Sequence, residues 1–275
     1  MIDLKQPLAA RLDAAAKDFL AGASAEVAKD GKALPGYFPQ LPRRVGRSPL
    51  GSGRLQAAEI ELDLAAWRNC DAAALQLLHA ARATDQQLVT LFEQGDSEER
   101  TLVLRCLQAL PVTTATVRLL AEVQRTNVQT LFEAATCDGN LLARACGQLD
   151  YDLTTFNKTL LKLAFLNLPL ARAFGAQRHA NPELSRMLQD LATEREAAGR
   201  AVWADTNRLI ARAPTAGTRA RLVGGLEHGD DGQRLAAAEG IGLLNQRDFD
   251  PFVRERLARE PRAAIRAALE RALQH

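Results

Sequence analysis

Aromatic side chains make up only 5% of the 275 residues, and alanine and leucine carry most of the 47% hydrophobic content. Sheets draw on β-branched and aromatic residues, so this shortage points to many closely packed helices instead. Charge of one sign is also missing: 35 Lys and Arg stand against 33 Asp and Glu, a formal net charge of +2. Without an overall field, nucleic acid is not expected as a partner, and any anionic surface would have to find a local patch. No apolar run reaches about 18 residues, which argues against direct membrane insertion. The opening Met1-Ile2-Asp3-Leu4-Lys5 carries an acid and no signal-peptide core, so a cytoplasmic protein is expected.

Chemical motifs are equally scarce. Cys70, Cys106, Cys137 and Cys146 lie far apart, lack CxxC spacing and sit in apolar helical text, which favours reduced, structural thiols. No GxGxxG follows a strand, no Gly-rich phosphate loop precedes Lys-Ser or Lys-Thr, and no GxSxG occurs. The four histidines, His79, His179, His228 and His275, never fall at helical ligand spacing with one another or with cysteine, so neither a metal nor a cofactor is expected. Gly229-Asp230-Asp231-Gly232 lacks the ligand pattern of a calcium loop and reads as a turn and helix cap.

What is present is helical periodicity with clear punctuation. Leu4, Leu8, Leu12, Ala15, Ala16 and Phe19 predict one helix over 1–30. A basic Pro/Gly-rich loop is expected over 31–56, carrying Lys32, Arg43, Arg44 and Arg47, with Tyr37 and Phe38 as anchors. Asn69 and Thr84 are read as N-caps, and Asp96-Ser97-Glu98-Glu99 as a capping-box start. Further helices are expected over 114–124, 128–136, 139–148, 152–168, 182–198, 203–213, 216–227, 231–245, 249–258 and 261–273, and no strand is expected. The similar runs Gln233-Arg234-Leu235-Ala236-Ala237-Ala238 and Pro261-Arg262-Ala263-Ala264-Ile265-Arg266 hint at HEAT/armadillo-like helical pairs. The expected fold is therefore all-α, a multi-helix array with a helical domain over 57–212 and C-terminal helical pairs over 213–275 packed on it.

Three places set polar residues against the apolar pattern. At about 100° per residue, Asn157 falls among Leu153, Phe156, Leu160, Leu163 and Ala164, with Lys158 and Lys162 bordering the arc. Its amide must meet a neighbouring group, a water or a ligand. Between the cap Asn181-Pro182 and the stop Gly199, Arg195 falls in the stripe of Leu184, Met187, Leu188 and Leu191, and a carboxylate or an anionic ligand is expected to meet it. Asp190 and Glu194 form a like-charge i,i+4 pair, either part of an ion network or an acid/base pair. Asn127 reads as an N-cap that, with Arg125, would also suit a phosphate or carboxylate.

The runs Leu41-Pro42-Arg43-Arg44-Val45-Gly46-Arg47-Ser48-Pro49-Leu50, Arg125-Thr126-Asn127 with Leu131-Phe132-Glu133-Ala134, Phe156-Asn157-Lys158-Thr159-Leu160-Leu161-Lys162, and Asn181-Pro182-Glu183-Leu184 through Glu194-Arg195 to Gly199-Arg200 resemble the EboA family. That family is the first component of a bacterial ebo cluster linked to metabolite trafficking. Three departures stand out: Cys137-Asp138-Gly139-Asn140 and Asp150-Tyr151-Asp152 replace an Asn-Pro-rich turn and an aromatic-acidic stretch, and Thr159 replaces a methionine. The resemblance implies a helical protein that helps make or move a small molecule alongside a prenyltransferase-like membrane protein and several enzymes, so other ebo-cluster proteins are expected partners; the basic residues add the expectation that the metabolite is anionic. It establishes no reaction. The residues themselves support a non-catalytic binding or adaptor protein using Arg43, Arg47, Arg125, Asn127, Asn157, Lys158, Lys162 and Arg195. The alternative is an enzyme acting on a phosphorylated or carboxylated substrate, with Asp190 and Glu194 as acid and base.

Overall fold

A computed structural model of the chain describes residues 2–274. It is predominantly helical, as the composition implies, and it divides into two compact units: Met1–Asp152 with Arg172–Phe174, and Leu153–Ala171 with Gly175–His275.

The first unit contains α1 (Lys5–Ala9), α2 (Ala14–Lys29), α3 (Leu34–Tyr37), α4 (Leu41–Arg44), the strands β1 (Arg54–Ala57) and β2 (Ile60–Asp63), and then α5 (Asn69–Ala80), α6 (Asp85–Gln94), α7 (Ser97–Leu107), α8 (Thr114–Arg125), α9 (Gln129–Thr136) and α10 (Leu141–Ala145). The single helix expected over 1–30 is broken, because the Asp13 carboxylate accepts the Ala16 N–H at 2.8 Å and starts α2 anew. Of the expected stripe, Leu4, Leu8, Leu12 and Ala16 are buried, whereas Ala15 is exposed and Phe19 half-buried; along α2 the buried face continues through Leu20, Ala23 and Val27. Thr84 and Asp96 cap α6 and α7 as expected, with Gln87 and Glu99 closing the capping boxes. Asn69 does not cap α5; Arg68 holds the N-cap position and Asp71 receives its backbone N–H at 2.8 Å. Nor does Asn127 cap α9, whose N-cap is Val128.

The segment expected to be an irregular loop is mostly coiled into turns. Pro35, Pro39 and Pro42 each occupy the first turn of a short helical piece, where a missing N–H costs nothing, so prolines that seemed to exclude structure instead start it. Leu34, Phe38 and Leu41 are buried along it. An antiparallel hairpin follows, pairing Leu55 with Leu62 and Ala57 with Ile60. The alternation of these apolar residues is its only sequence signal, because the turn at Ala58-Glu59 lacks the usual Asn-Gly or Asp-Gly, and Ala58 takes a φ of +50°.

Cys137-Asp138-Gly139-Asn140 joins this hairpin to the chain at 172–174. Asp63 N–H donates to Asp138 O at 2.9 Å, and Asn140 exchanges backbone and side-chain bonds with Glu59 and Glu61. On its other side, Asp138 N–H donates to Arg172 O at 2.7 Å and Phe174 N–H to Gly139 O at 3.0 Å. A Cβ on Gly139 would lie 2.5 Å from Gln108 Oε1 and 3.2 Å from Leu62 Cδ2. Gly139→Ala is therefore expected to lower stability by about 1–3 kcal/mol, the usual effect of overpacking, read as a lower denaturant midpoint at unchanged slope.

Cys70, Cys106, Cys137 and Cys146 are free thiols, the first three of them buried. Burial pushes the Cys70 and Cys137 thiols up to about 12, so both stay protonated and inert at neutral pH.

The second unit contains α11 (Leu153–Phe165), α12 (Pro182–Ala197), α13 (Asp205–Arg212), α14 (Thr218–Leu226), α15 (Asp231–Leu244), α16 (Asp250–Arg259) and α17 (Ala263–Ala272). Asn181 caps α12 by accepting Leu184 N–H at 3.0 Å, and Gly199, at a φ of +67°, follows its end. Leu222, Ile241, Phe249, Val253 and Leu269 form the core of the last four helices. Across the described residues, no helix is long and apolar enough to cross a membrane.

Candidate functional site

In the first unit, the N-terminal half of α7 faces the start of α9 and the segment leading into α5, leaving a cleft of about 640 Å³. Ser97, Thr101 and Thr130 supply hydroxyls to its wall, while Asp96, Glu98, Glu133, Arg68 and Arg105 supply charge. Its acids are all engaged. Asp96 accepts the Glu98 and Glu99 N–H groups at 2.8 and 2.9 Å as the α7 cap. Glu98 meets Arg68 at 2.6 Å and Arg47 at 3.6 Å. Glu133 accepts from Arg172 at 2.6 Å and from Gln129 at 2.7 Å.

The cations flanking the cleft are held by the same network. Arg68 grips the buried Asp71 with two nitrogens, at 2.8 and 3.1 Å. Burial alone would lower the Arg68 guanidinium, but Asp71, supported by Glu98, holds it above its ordinary value. Arg172 forks onto Asp138 at 2.6 and 2.8 Å, and those bonds likewise hold its guanidinium above the usual range. Arg105 differs: its Nε and Nη1 are closed to solvent and meet no acceptor among the described residues. Guanidinium donors left in this condition disfavour the empty site and favour an incoming anion.

The residues singled out in the sequence divide between the units. Arg47 reaches the cleft through Glu98, whereas Arg43 is exposed on α4. Arg125 is exposed and paired with Glu122 at 2.6 Å, and Asn127 is exposed beside it. Asn157 is buried in the second unit, where its amide exchanges two hydrogen bonds with Asn181, at 3.1 and 2.8 Å. Its intrusion into the apolar face therefore fixes the cap of α12. Lys158 is exposed; Lys162 is half-buried, and burial lowers its ammonium. Arg195 is buried as expected, but its partners are neutral oxygens, Ala201 O at 2.8 Å and Asn167 Oδ1, rather than a carboxylate.

Asp190 and Glu194 are both exposed. Asp190 pairs with Arg186 at 2.7 Å and lines a groove of about 520 Å³ with Gln189, Thr193 and Arg221, a groove whose lining does not include Glu194. Arg195 instead borders a hollow of only about 10 Å³ among Leu188, Ala192 and Trp203. The geometry thus supplies no convergence of this pair with Arg195 on one cavity.

Sequence reasoning missed Arg68, Arg105 and Arg172. Each sits in ordinary helical or turn text; of the cleft's residues, Asp96, Ser97 and Glu98 fall in the expected capping box and Glu133 in Leu131-Phe132-Glu133-Ala134. A family model described as metabolite traffic protein EboA matches residues 3–211. The chain belongs to the EboA family. The EboA match takes in every residue of the cleft, and the helices beyond 211 lie outside it. No curated protein and no solved structure matches the chain significantly.

Proposed function

We propose that this EboA protein is a non-catalytic binding protein that holds a small anionic metabolite in the cleft of its first unit during the making or moving of that metabolite. Arg105 carries the proposal: every carboxylate on the wall is already hydrogen-bonded, and this guanidinium alone keeps two shielded nitrogens without acceptors among the described residues. A carboxylate or phosphate would take both, with Ser97, Thr101 and Thr130 offering hydroxyls to the rest of the molecule. The family name supports the metabolite, and a cytoplasmic carrier working with other ebo-cluster proteins fits the role. The enzymatic alternative has less support, because Asp190 is tied to Arg186 and Glu194 stands exposed away from the groove lining.

Native mass spectrometry of the full chain incubated with cell extract tests the proposal. A retained small anion is expected on the unaltered chain, and Arg105→Met is expected to cut its occupancy about tenfold or more, the scale of a lost charge-assisted pair. Because Met removes an uncompensated charge, the same variant should melt no lower than the parent. Equal occupancy in Arg105→Met would refute the assignment, and a mass change in the released molecule would favour the enzyme.

A further inference from the structure

A second cavity, of about 390 Å³, lies in the first unit where the C-terminal ends of α5 and α7 meet the N-terminal ends of α6 and α8. Its character is opposite to that of the charged cleft. Leu78, Ala83, Leu88, Leu107, Leu110 and Pro111 form the apolar part of its wall, and Asp85, Thr113 and Thr116 also line it. Its volume falls in the range of roughly 300–1,000 Å³ typical of sites for small organic molecules, which combine an apolar lining with a few placed polar groups.

His79 supplies the first such group. Its Nε2 is closed to solvent and meets no partner among the described residues, although the ring lies on the cavity wall. Burial, with Lys5 nearby, holds the imidazole below its ordinary value, so at neutral pH the ring is uncharged and carries one donor and one acceptor nitrogen. Arg82 supplies the second. It stands exposed on the same wall with no ion pair among the described residues, on a turn where Arg82 N–H returns to His79 O and Ala83 N–H to Leu78 O. The nearby acid is not its partner: Asp85 Oδ2 accepts the Thr114 hydroxyl at 2.7 Å and the Ala115 N–H at 3.1 Å, and so secures the start of α8.

We propose that this cavity is a binding site, separate from the charged cleft, for a small amphipathic molecule: an apolar ring or branched chain seated among the leucines, a hydrogen-bonding group on His79 Nε2, and an anionic end beside Arg82. No part of the sequence reading pointed to it, because its walls come from four helix ends whose leucines resemble ordinary core. A buried ring nitrogen without a partner serves no purpose in a closed core, where leucine would pack as well; a ligand that completes its hydrogen bond gives it one.

The test uses 1-anilinonaphthalene-8-sulfonate as the probe with the full chain, since it combines fused apolar rings, an N–H and a sulfonate. One saturable site is expected on the folded protein by fluorescence titration. Ala83→Phe, which puts a ring into the cavity, should abolish it. His79→Leu should weaken binding about tenfold while leaving the melting temperature unchanged or raised, and Arg82→Gly, which places glycine at a φ of +48°, should weaken it several-fold without loss of fold. If Ala83→Phe fails to fold, the other two variants decide the matter. Arg105→Met should bind the probe like the parent, so failure of the anion proposal and failure of this one are separable. Non-saturable binding, or parental affinity in every folded cavity variant, would overturn the assignment, as would a large drop in melting temperature for His79→Leu, which would make the ring structural.

Discussion

Replacing Glu260 with Ala is expected to lower the stability of the C-terminal helices by about 3–5 kcal/mol, the scale for removing one partner from a buried ion network. Glu260 is only 2% exposed and accepts from Arg234 Nε at 3.0 Å, from Arg256 at 2.9 and 2.6 Å, and from Arg262 N–H at 3.0 Å. Without it, two largely buried guanidinium groups lose their shared anion, although Arg234 keeps Asp231 and the carbonyls of His228 and Gly229, and Arg256 keeps Glu227 at 3.7 Å. A double variant, Arg234→Met with Glu260→Met, should recover part of the loss, because apolar packing replaces an orphaned charge.

The same residue sets a pH window. Burial alone would raise the Glu260 carboxyl, but Arg234, the Arg262 N–H and Arg256 together hold it at about 2, well below its ordinary value of 4.5. The folded state therefore binds this proton less readily than the unfolded chain does. Its contribution is complete above about pH 5, declines as pH falls below 4.5 and is gone once pH passes the folded value near 2. Thermal melts of the parent and Glu260→Gln should differ by a constant gap near neutrality that closes through this window. A gap independent of pH would show that the charge of Glu260 is not what the arginines require.

Arg144→Met is the second large expected effect, a loss of about 2–4 kcal/mol, with the first unit unfolding at lower denaturant. Arg144 is buried and has no carboxylate partner. Its guanidinium donates to Gln108 O at 2.8 Å and Leu110 O at 3.0 Å, just past the end of α7, and to Asn140 Oδ1 at 3.2 Å. A cation at a helix C-terminus satisfies carbonyls that have no partner within the helix. Burial, the larger influence, lowers its guanidinium, yet an arginine so placed remains charged. Methionine would fill much the same space and relieve the desolvated charge, but two buried carbonyls would lose their donors. That second effect is the larger, because Asn140 alone keeps another partner, the Glu61 N–H. Arg144→Lys should recover only part of the loss, since its three donors share one nitrogen and cannot span the oxygens that Nε, Nη1 and Nη2 of arginine reach separately.

Much of the helical order was legible in the sequence because its signals are local. Asn181 with Pro182, Thr84 with Gln87, and Asp96 with Glu99 act within three or four residues, and each starts a helix where expected. The failures arose where a local rule had two outcomes. Proline breaks a helix interior but suits a first turn, so Pro35, Pro39 and Pro42 point to loop in the sequence and start short helical pieces in the fold. The hairpin escaped notice because its turn is Ala58-Glu59 and because the partner securing β2, Asn140, lies 79 residues from Glu61. Asn157 was recognised as a buried amide in want of a partner; the structure supplies Asn181, which lies 24 residues away.

The sequence by itself determined the all-α class, the positions of most helices and the family, since periodicity, caps and contiguous motifs are written in neighbouring residues. Which charges are spent and which remain open was decided only by tertiary structure. Arg68, Arg105, Arg144 and Arg172 are alike on paper. Packing gives the first Asp71, the third a set of carbonyls and the fourth Asp138, and leaves shielded nitrogens of the second without an acceptor. An arginine's role depends on the groups that converge on it from distant segments, and that convergence is a property of the folded chain.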